Sequence, residues 1–289
     1  MELVWLEDFN ALADSGNFSR AAELRHVTQP AFSRRIRALE TWVGVDLFER
    51  TTQGAALTEA GKHMLTSAQE MTRRLYQMRL DAREVAGKQV RTLHFAATHS
   101  LSFTFFPGWI RGIERGAPIE ALRLLSDSMM VCEQMLLHGE VQFLLCHQHP
   151  DVPPRFAADQ FHSKAVGGDV LTPLRAADFL AEGDSAPLQH LAYTAESGLG
   201  RIVGARLQGE HSPPALNTVF SSHLAAVLLS MALEGKGIAW LPRSLAEQEV
   251  SSGKLVRALD ERWDIPVEIR LFRPNAALSD FAEDFWARL

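Results

Sequence analysis

The sequence predicts a mixed α/β chain built from two unlike parts, and three observations predict it. Residues 1–58 place apolar side chains at helical spacing between short turns. From Thr58 to Pro107 no proline interrupts the chain, and one heptad stripe runs through that stretch. Beyond residue 90, short apolar runs alternate with helical segments, the pattern of an α/β sheet.

The 289 residues are enough for two or three domains with their own cores. Hydrophobic residues make up 46% and charged residues 22%, an ordinary globular balance. The apolar run 225–233 is too short to span a bilayer. The opening MELVWLEDFN lacks the basic flank of a secretory leader. With two cysteines, Cys132 and Cys146, a reducing cytoplasm is the expected compartment. Charge is uneven. Residues 1–90 hold 12 Lys/Arg and 12 Asp/Glu, whereas 91–289 hold 17 and 23 and carry the whole net charge of -6. Only the first third is suited to a polyanion.

Leu3, Leu6, Phe9 and Ala13 predict a first helix over 2–14, ended by Gly16 and Asn17. Ser19 is the expected cap of a short second helix containing Ala21 and Ala22. Thr28 is the expected cap of a third, with Gln29 and Pro30 in its first turn. Phe32, Ile36, Leu39 and Val43 form its buried stripe. Gln29, Ser33 and Arg37, flanked by Arg34, form a second face of the kind that reads base edges or grips phosphate. A solvated basic face on a small bundle is the bland alternative. Cap, proline, buried stripe and reader face on one helix favour a helix-turn-helix whose second helix enters a groove. Two extended pieces around Gly54 then suggest a wing, with Arg50, Thr51 and Thr52 near the sugar-phosphate backbone.

Residues 17–61 resemble the winged helix-turn-helix of LysR-type transcriptional regulators. The resemblance is carried by Ala21-Ala22, Gln29-Pro30-Ala31-Phe32-Ser33, Leu39-Glu40, Leu47-Phe48-Glu49-Arg50 and Thr58-Glu59-Ala60-Gly61, without a gap. It implies a head over 1–58, a linker and dimerisation helix over 59–89, and an effector-binding regulatory domain over 90–289. The DNA contacts it leads us to expect are Thr28, Gln29, Pro30, Ser33, Arg34, Arg37 and Arg50. The implied partners are double-stranded DNA with an inverted repeat, a small effector and further copies of the chain, as homodimer or homotetramer.

In the linker, Leu57, Gly61, Met64, Ala68, Met71, Leu75, Met78, Ala82 and Val85 alternate steps of four and three. Such a stripe predicts pairing with a second copy, with packing on the chain's own head as the alternative. Gly87 should end the helix.

In the last two-thirds, strands are expected at 92–97, 120–126, 141–147, 189–194, 215–220 and 237–242, with helices between them. The family resemblance implies a periplasmic-binding-protein architecture of two subdomains, 90–164 with 267–289, and 165–266. Segments 164–174 and 266–272 would cross between them. Ligands of such sheets bind at strand carboxyl ends, against helix N-termini. Strand ends nominate Thr98, Ser100, Ser128, His147, Thr194, Phe220 and Ser221 for a small carboxylate, other oxyanion or oxidant. Helix capping is the competing role for each hydroxyl.

Met231 and Cys146 are redox candidates, because the same resemblance reaches the hypochlorite- and peroxide-responsive branch. Plain core filling competes with both roles. His147 and His149 lack the further ligands a metal site needs, and GLGRIVGARLQGE matches no phosphate loop, so neither metal nor cofactor is expected. No nucleophile–base pair or carboxylate pair suggests an enzyme. A solute-binding protein with an assembly domain is the distant rival.

Overall fold

The computed structural model describes residues 2–51, 54–86, 91–114, 119–154, 156, 160–179, 187–209 and 214–289. They form two units, one on the residues up to Ala86 and one on most of the remainder.

In the first unit, α1 (Leu3–Ser15) buries Leu6, Phe9 and Leu12 and stops at Gly16. Gly16 takes φ 62°, a left-handed geometry that glycine adopts without steric cost. Helix α2 (Phe18–Leu24) is capped by Asn17, not by Ser19. Asn17 Oδ1 accepts from the amides of Ser19 and Arg20 at 2.9 and 3.1 Å, which puts Ser19 inside the first turn. Ala21 and Ala22 are buried, so α2 lies close to its neighbours. His26, at φ 53°, makes the tight turn into α3 (Gln29–Val43). Phe32, Ile36 and Leu39 of α3 are fully covered.

Strands β1 (Phe48–Thr51) and β2 (Gly54–Leu57) pair antiparallel as a wing. Two local devices fix its root. Glu40 Oε1 accepts from the amides of Leu47 and Phe48 at 2.9 and 3.1 Å. Ala55 N–H donates to Gly16 O at 2.8 Å. A Cβ on Gly54 would lie 2.2 Å from that same oxygen, so only glycine fits. Thr58 Oγ1 accepts from Gly61 N–H at 3.1 Å and caps α4 (Glu59–Val85).

In the second unit, β3 (Thr92–Thr98) lies between β4 (Ala121–Asp127) and β5 (Phe143–Gln148), parallel to both. The helix expected between the first two strands is two helices, α5 (His99–Thr104) and α6 (Phe106–Glu114), with Pro107 in the first turn of α6. Helix α7 (Met129–Leu137) follows β4. The long strands β6 (Phe161–Ala176) and β11 (Ile265–Pro274) run antiparallel to each other. They cross two cores. Ile269 and Leu271 join Phe95, Phe143 and Phe285 in one, while Leu171, Ile265 and Val267 join Ile202 and Trp240 in the other.

The second core is covered by β7 (Leu188–Tyr193), α8 (Gly198–Gln208), β8 (Leu216–Ser222), α9 (Ala225–Leu233) and β9 (Ala239–Pro242). Helix α10 (Arg243–Ser251) and β10 (Leu255–Arg257) complete it, and neither was predicted. Helix α10 opens on Pro242 without a side-chain cap and buries only Ala246, so its apolar stripe is too thin to read. Helix α11 (Asp280–Ala287) closes the first core with Phe285.

Candidate nucleic-acid interface and effector cleft

The cations of residues 25–37 divide into two groups. Arg25 donates from Nε to Asp8 at 2.9 Å and from Nη2 to Glu7. Arg35 Nε lies 2.8 Å from Asp8 Oδ2. Asp8 is fully buried, so these guanidinium groups are neutralised within the head and tie α1 to the turn and to α3. Arg34 and Arg37 are exposed and meet no carboxylate among the described residues. They share an open surface with Thr28, Gln29 and Pro30.

Thr28 occupies the N-cap position of α3, but its hydroxyl makes no cap bond. Ser33 departs from expectation. It is 7% exposed and accepts from Gln29 Nε2 at 3.1 Å, so it steadies the glutamine instead of standing in the reader face. Its residue type suits reading, but its angular position turns it toward the core. Arg50 is exposed on β1, with its Cζ 6.0 Å from the Phe18 ring centroid. Thr52 lies outside the described residues.

The heptad stripe of α4 is used in two ways. Leu57, Met64 and Ala68 pack with Leu6, Phe9, Leu39 and Leu47 in the head's own core. Asn10 Nδ2 donates to Thr72 Oγ1 at 3.2 Å. Met71, Leu75 and Met78 are left exposed, at 52%, 37% and 61%. A single partner seam along the whole helix is therefore not what the residues form, because α1 already covers the first part. Gly87 and the Val85 side chain lie outside the described set.

In the second unit, strand ends and helix starts line a cleft. Thr98, Ser100, Ser128 and His147 line it, as expected. Thr194, Phe220 and Ser221 do not. Thr194 instead holds the turn before α8, its carbonyl accepting from Ser197 N–H at 3.1 Å. Strand β8 runs to Ser222, beyond its expected end at 220, so the side chain carried to the cleft is His223. Phe220 packs on the Leu174–Leu191 core and Ser221 is exposed. His99 and Asp127, at the same strand ends as Thr98 and Ser128, also line it; Met129, Ser197, Gly198, Leu199 and Ala225 were not anticipated. The pattern Ser197-Gly198 before an apolar-periodic run was a readable helix start.

Among the described residues the cleft holds no Lys or Arg, and the Asp127 carboxylate is part of its lining. The starts of α7, α8 and α9 converge there through Met129, Gly198–Leu199 and Ala225. The first amides of a helix have no intrahelical acceptor and carry partial positive charge. Thr98 Oγ1 and both ring nitrogens of His147 are buried without a hydrogen-bond partner. Asp169 Oδ2 lies 3.8 Å from His147 Nε2, too far for a hydrogen bond but close enough to act electrostatically. Burial pushes the Asp169 carboxyl up, yet His147, the Ser244 hydroxyl and the Val170 amide hold it below the usual carboxylate range. Below the cleft, Arg201 of α8 donates to both carboxylate oxygens of Glu133 on α7, at 2.8 and 3.2 Å. Glu133 is 3% exposed, so this pair ties the two helices in low dielectric.

The redox candidates sit elsewhere. Cys146 is fully buried in β5, and burial pushes its thiol far up. Burial also pushes Cys132 up to about 12. Neither thiol offers the thiolate that oxidants attack. Met231 packs beside the Leu174–Leu191 core; the methionine in the cleft is Met129.

A winged helix-turn-helix with open cations on its third helix, together with a two-core α/β unit holding a cleft, is the architecture of a ligand-responsive DNA-binding regulator. Residues 3–62 match the family model for the bacterial regulatory helix-turn-helix protein, lysR family, and residues 86–289 match that for the LysR substrate binding domain. The chain belongs to the LysR family of transcriptional regulators. It is 33% identical to the HTH-type transcriptional regulator YjiE of Escherichia coli K12, covering all of this chain and 94% of that one. Full-length HypT from Salmonella typhimurium, described as a hypochlorite-specific LysR-type transcriptional regulator, superposes with a TM-score of 0.57 at 31% identity, covering 100% of this chain and 97% of that one. Vibrio fischeri DarR, solved in complex with DNA, gives 0.55 at 30% identity, covering 99% and 97%. No helix among the described residues is long and apolar enough to cross a membrane.

Proposed function

We propose that this regulator reads DNA with Gln29, Arg34 and Arg37 in a major groove. Thr28, Pro30 and the wing residue Arg50 lie along the sugar-phosphate backbone. The supporting observation is the division of cations on one short segment. Arg25 and Arg35 are neutralised by Glu7 and Asp8, while Arg34 and Arg37 are left open beside Gln29. Exposed guanidinium groups release counterions from DNA, and glutamine can bond adenine at two atoms. Met71, Leu75 and Met78 supply an apolar strip for a second copy of the chain. A two-fold pair would then match half-sites about one helical turn apart. The chain acts in the cytoplasm by binding and not by catalysis. Its cleft takes a small carboxylate, because helix starts, hydroxyls and imidazoles converge there.

Fluorescence anisotropy with the promoter region beside its own gene tests the docking. Gln29→Ala should lose about 1–3 kcal/mol of discrimination at one base pair. Arg50→Ala should weaken every sequence alike and lower the salt slope by about one. Unchanged footprints and salt slopes in both variants would refute the docking.

A further inference from the structure

His99 joins the cleft to a short chain of serines. Ser102 donates its hydroxyl proton to the His99 carbonyl at 2.7 Å. A carbonyl only accepts, so Ser102 has no second proton for Ser126, 3.0 Å away. Ser126 must therefore donate to Ser102. Its oxygen is then left to accept from His99 Nδ1, at 3.1 Å. The neutral ring accordingly carries its proton on Nδ1, and Nε2 holds the lone pair. Nε2 is the nitrogen left for a ligand.

Among the described residues, α5 packs chiefly on β3, β4, α6, α9 and α10, and the carboxylate that acts on the ring is Asp127 of β4. His223, in the turn before α9, stands with its ring centroid 5.7 Å from that of His99. Burial lowers the His99 pKa most, Asp127 opposes it and His223 adds to it, leaving the ring below the ordinary histidine value. A carboxylate entering the cleft finds amides and hydroxyls ready to donate. At Nε2 it finds a lone pair, which repels it until the nitrogen is protonated.

We propose that the cleft takes its effector as a small monoanion together with one proton from solvent, which lodges on Nε2 of His99. This rests on the reading of the cleft as a carboxylate effector site. Uptake forms one Nε2–H bond and breaks no bond in the ligand. Effector affinity then follows pH, and mild acidification raises occupancy at a fixed effector concentration. Ser126 is a positioning residue, because it fixes which nitrogen faces the ligand.

Calorimetry of the full chain with acetate, pyruvate and benzoate as probes, from about pH 6 to about pH 8 in buffers of different ionisation heat, tests this. Uptake should approach one proton, and Kd should weaken about tenfold per pH unit above the His99 pKa. Ser126 is exposed and outside the cleft lining, so Ser126→Ala should fold normally. It lets the neutral ring move its proton to Nε2, so the slope should fall well below tenfold while binding at the higher pH strengthens. His99→Gln donates without titrating and should flatten the slope too. Binding without proton uptake, or an unchanged slope in Ser126→Ala, overturns the proposal and leaves the effector site standing. Failure of every probe at every pH overturns the carboxylate reading, and the proton coupling with it.

Discussion

On the proposed reading, the two units meet negative charge by opposite means. The head presents permanent cations, Arg34, Arg37 and Arg50, on open surface. The cleft presents no Lys or Arg and relies on helix starts, hydroxyls and imidazoles. The difference follows from the two ligands. A polyanion surrounded by counterions is gripped by exposed charge, and that grip weakens with salt. A small anion must be stripped of water, and a buried fixed cation would cost several kcal/mol of desolvation while the cleft is empty. Oriented amides carry no net charge and avoid most of that cost. Exposed and buried charge should therefore respond to mutation on different scales.

In the second unit the largest effect is expected where its charge is most buried. Glu133→Ala would leave Arg201 unpaired between α7 and α8, at a cost of about 3–5 kcal/mol to the second unit. Arg34→Ala, on the open face of α3, should change the head's stability by less than about 0.5 kcal/mol. Urea unfolding of the two variants beside wild type reads both numbers. Equal costs would erase the distinction between the units.

The same contrast decided what could be read from residue order. The head is a local object. Its turn, cap region, buried stripe and wing lie within about 60 consecutive residues, so one periodicity and a few turn residues expose them. Even so, Ser33 was misread, because residue type indicated reading while its angle on α3 turned it inward. Asn17 was overlooked as a cap because Ser19 is also a capping residue type. The cleft is a non-local object, assembled from segments between Thr98 and Ala225. Four of its residues were found as strand ends. Phe220 and Ser221 were misplaced because a strand end wrong by two residues changes which side chain reaches the rim. The exposed half of α4 was legible as a stripe, but nothing in the spacing told that α1 would cover the other half.

An intermediate effect should come from the wing. Glu40→Ala would strip the Leu47 and Phe48 amides of their shared acceptor, at about 1–3 kcal/mol. Leu47 is 1% exposed, so water cannot easily replace the carboxylate there. Thermal unfolding should show the head weakened, and DNA affinity should fall alike for all sequences, because Arg50 begins two residues beyond Phe48. A sequence-selective loss would place the wing among the base readers and blur the division between reading helix and backbone grip.

A small effect is also expected where the second unit carries a part-exposed carboxylate, which should behave more like exposed charge on the head. Glu283 is 40% exposed and receives Arg273 Nη2 at 2.8 Å and the Leu278 amide at 2.9 Å. The Arg273 hydrogen bond is the main cause holding its carboxyl below the ordinary glutamate value, with burial opposing. A carboxylate with a lowered folded pKa contributes stability above its unfolded pKa and loses it as pH falls through the folded value. Partial exposure limits that contribution to about 1 kcal/mol or less, a degree or two in Tm. Wild type should therefore melt slightly above Glu283→Gln near neutral pH, and the two curves should converge only as pH falls below the lowered folded value, where the carboxylate is protonated in both states. A gap that persists into acid would show that Glu283 acts by placing Arg273 over the Trp286 ring, 5.6 Å from its centroid, and not through charge.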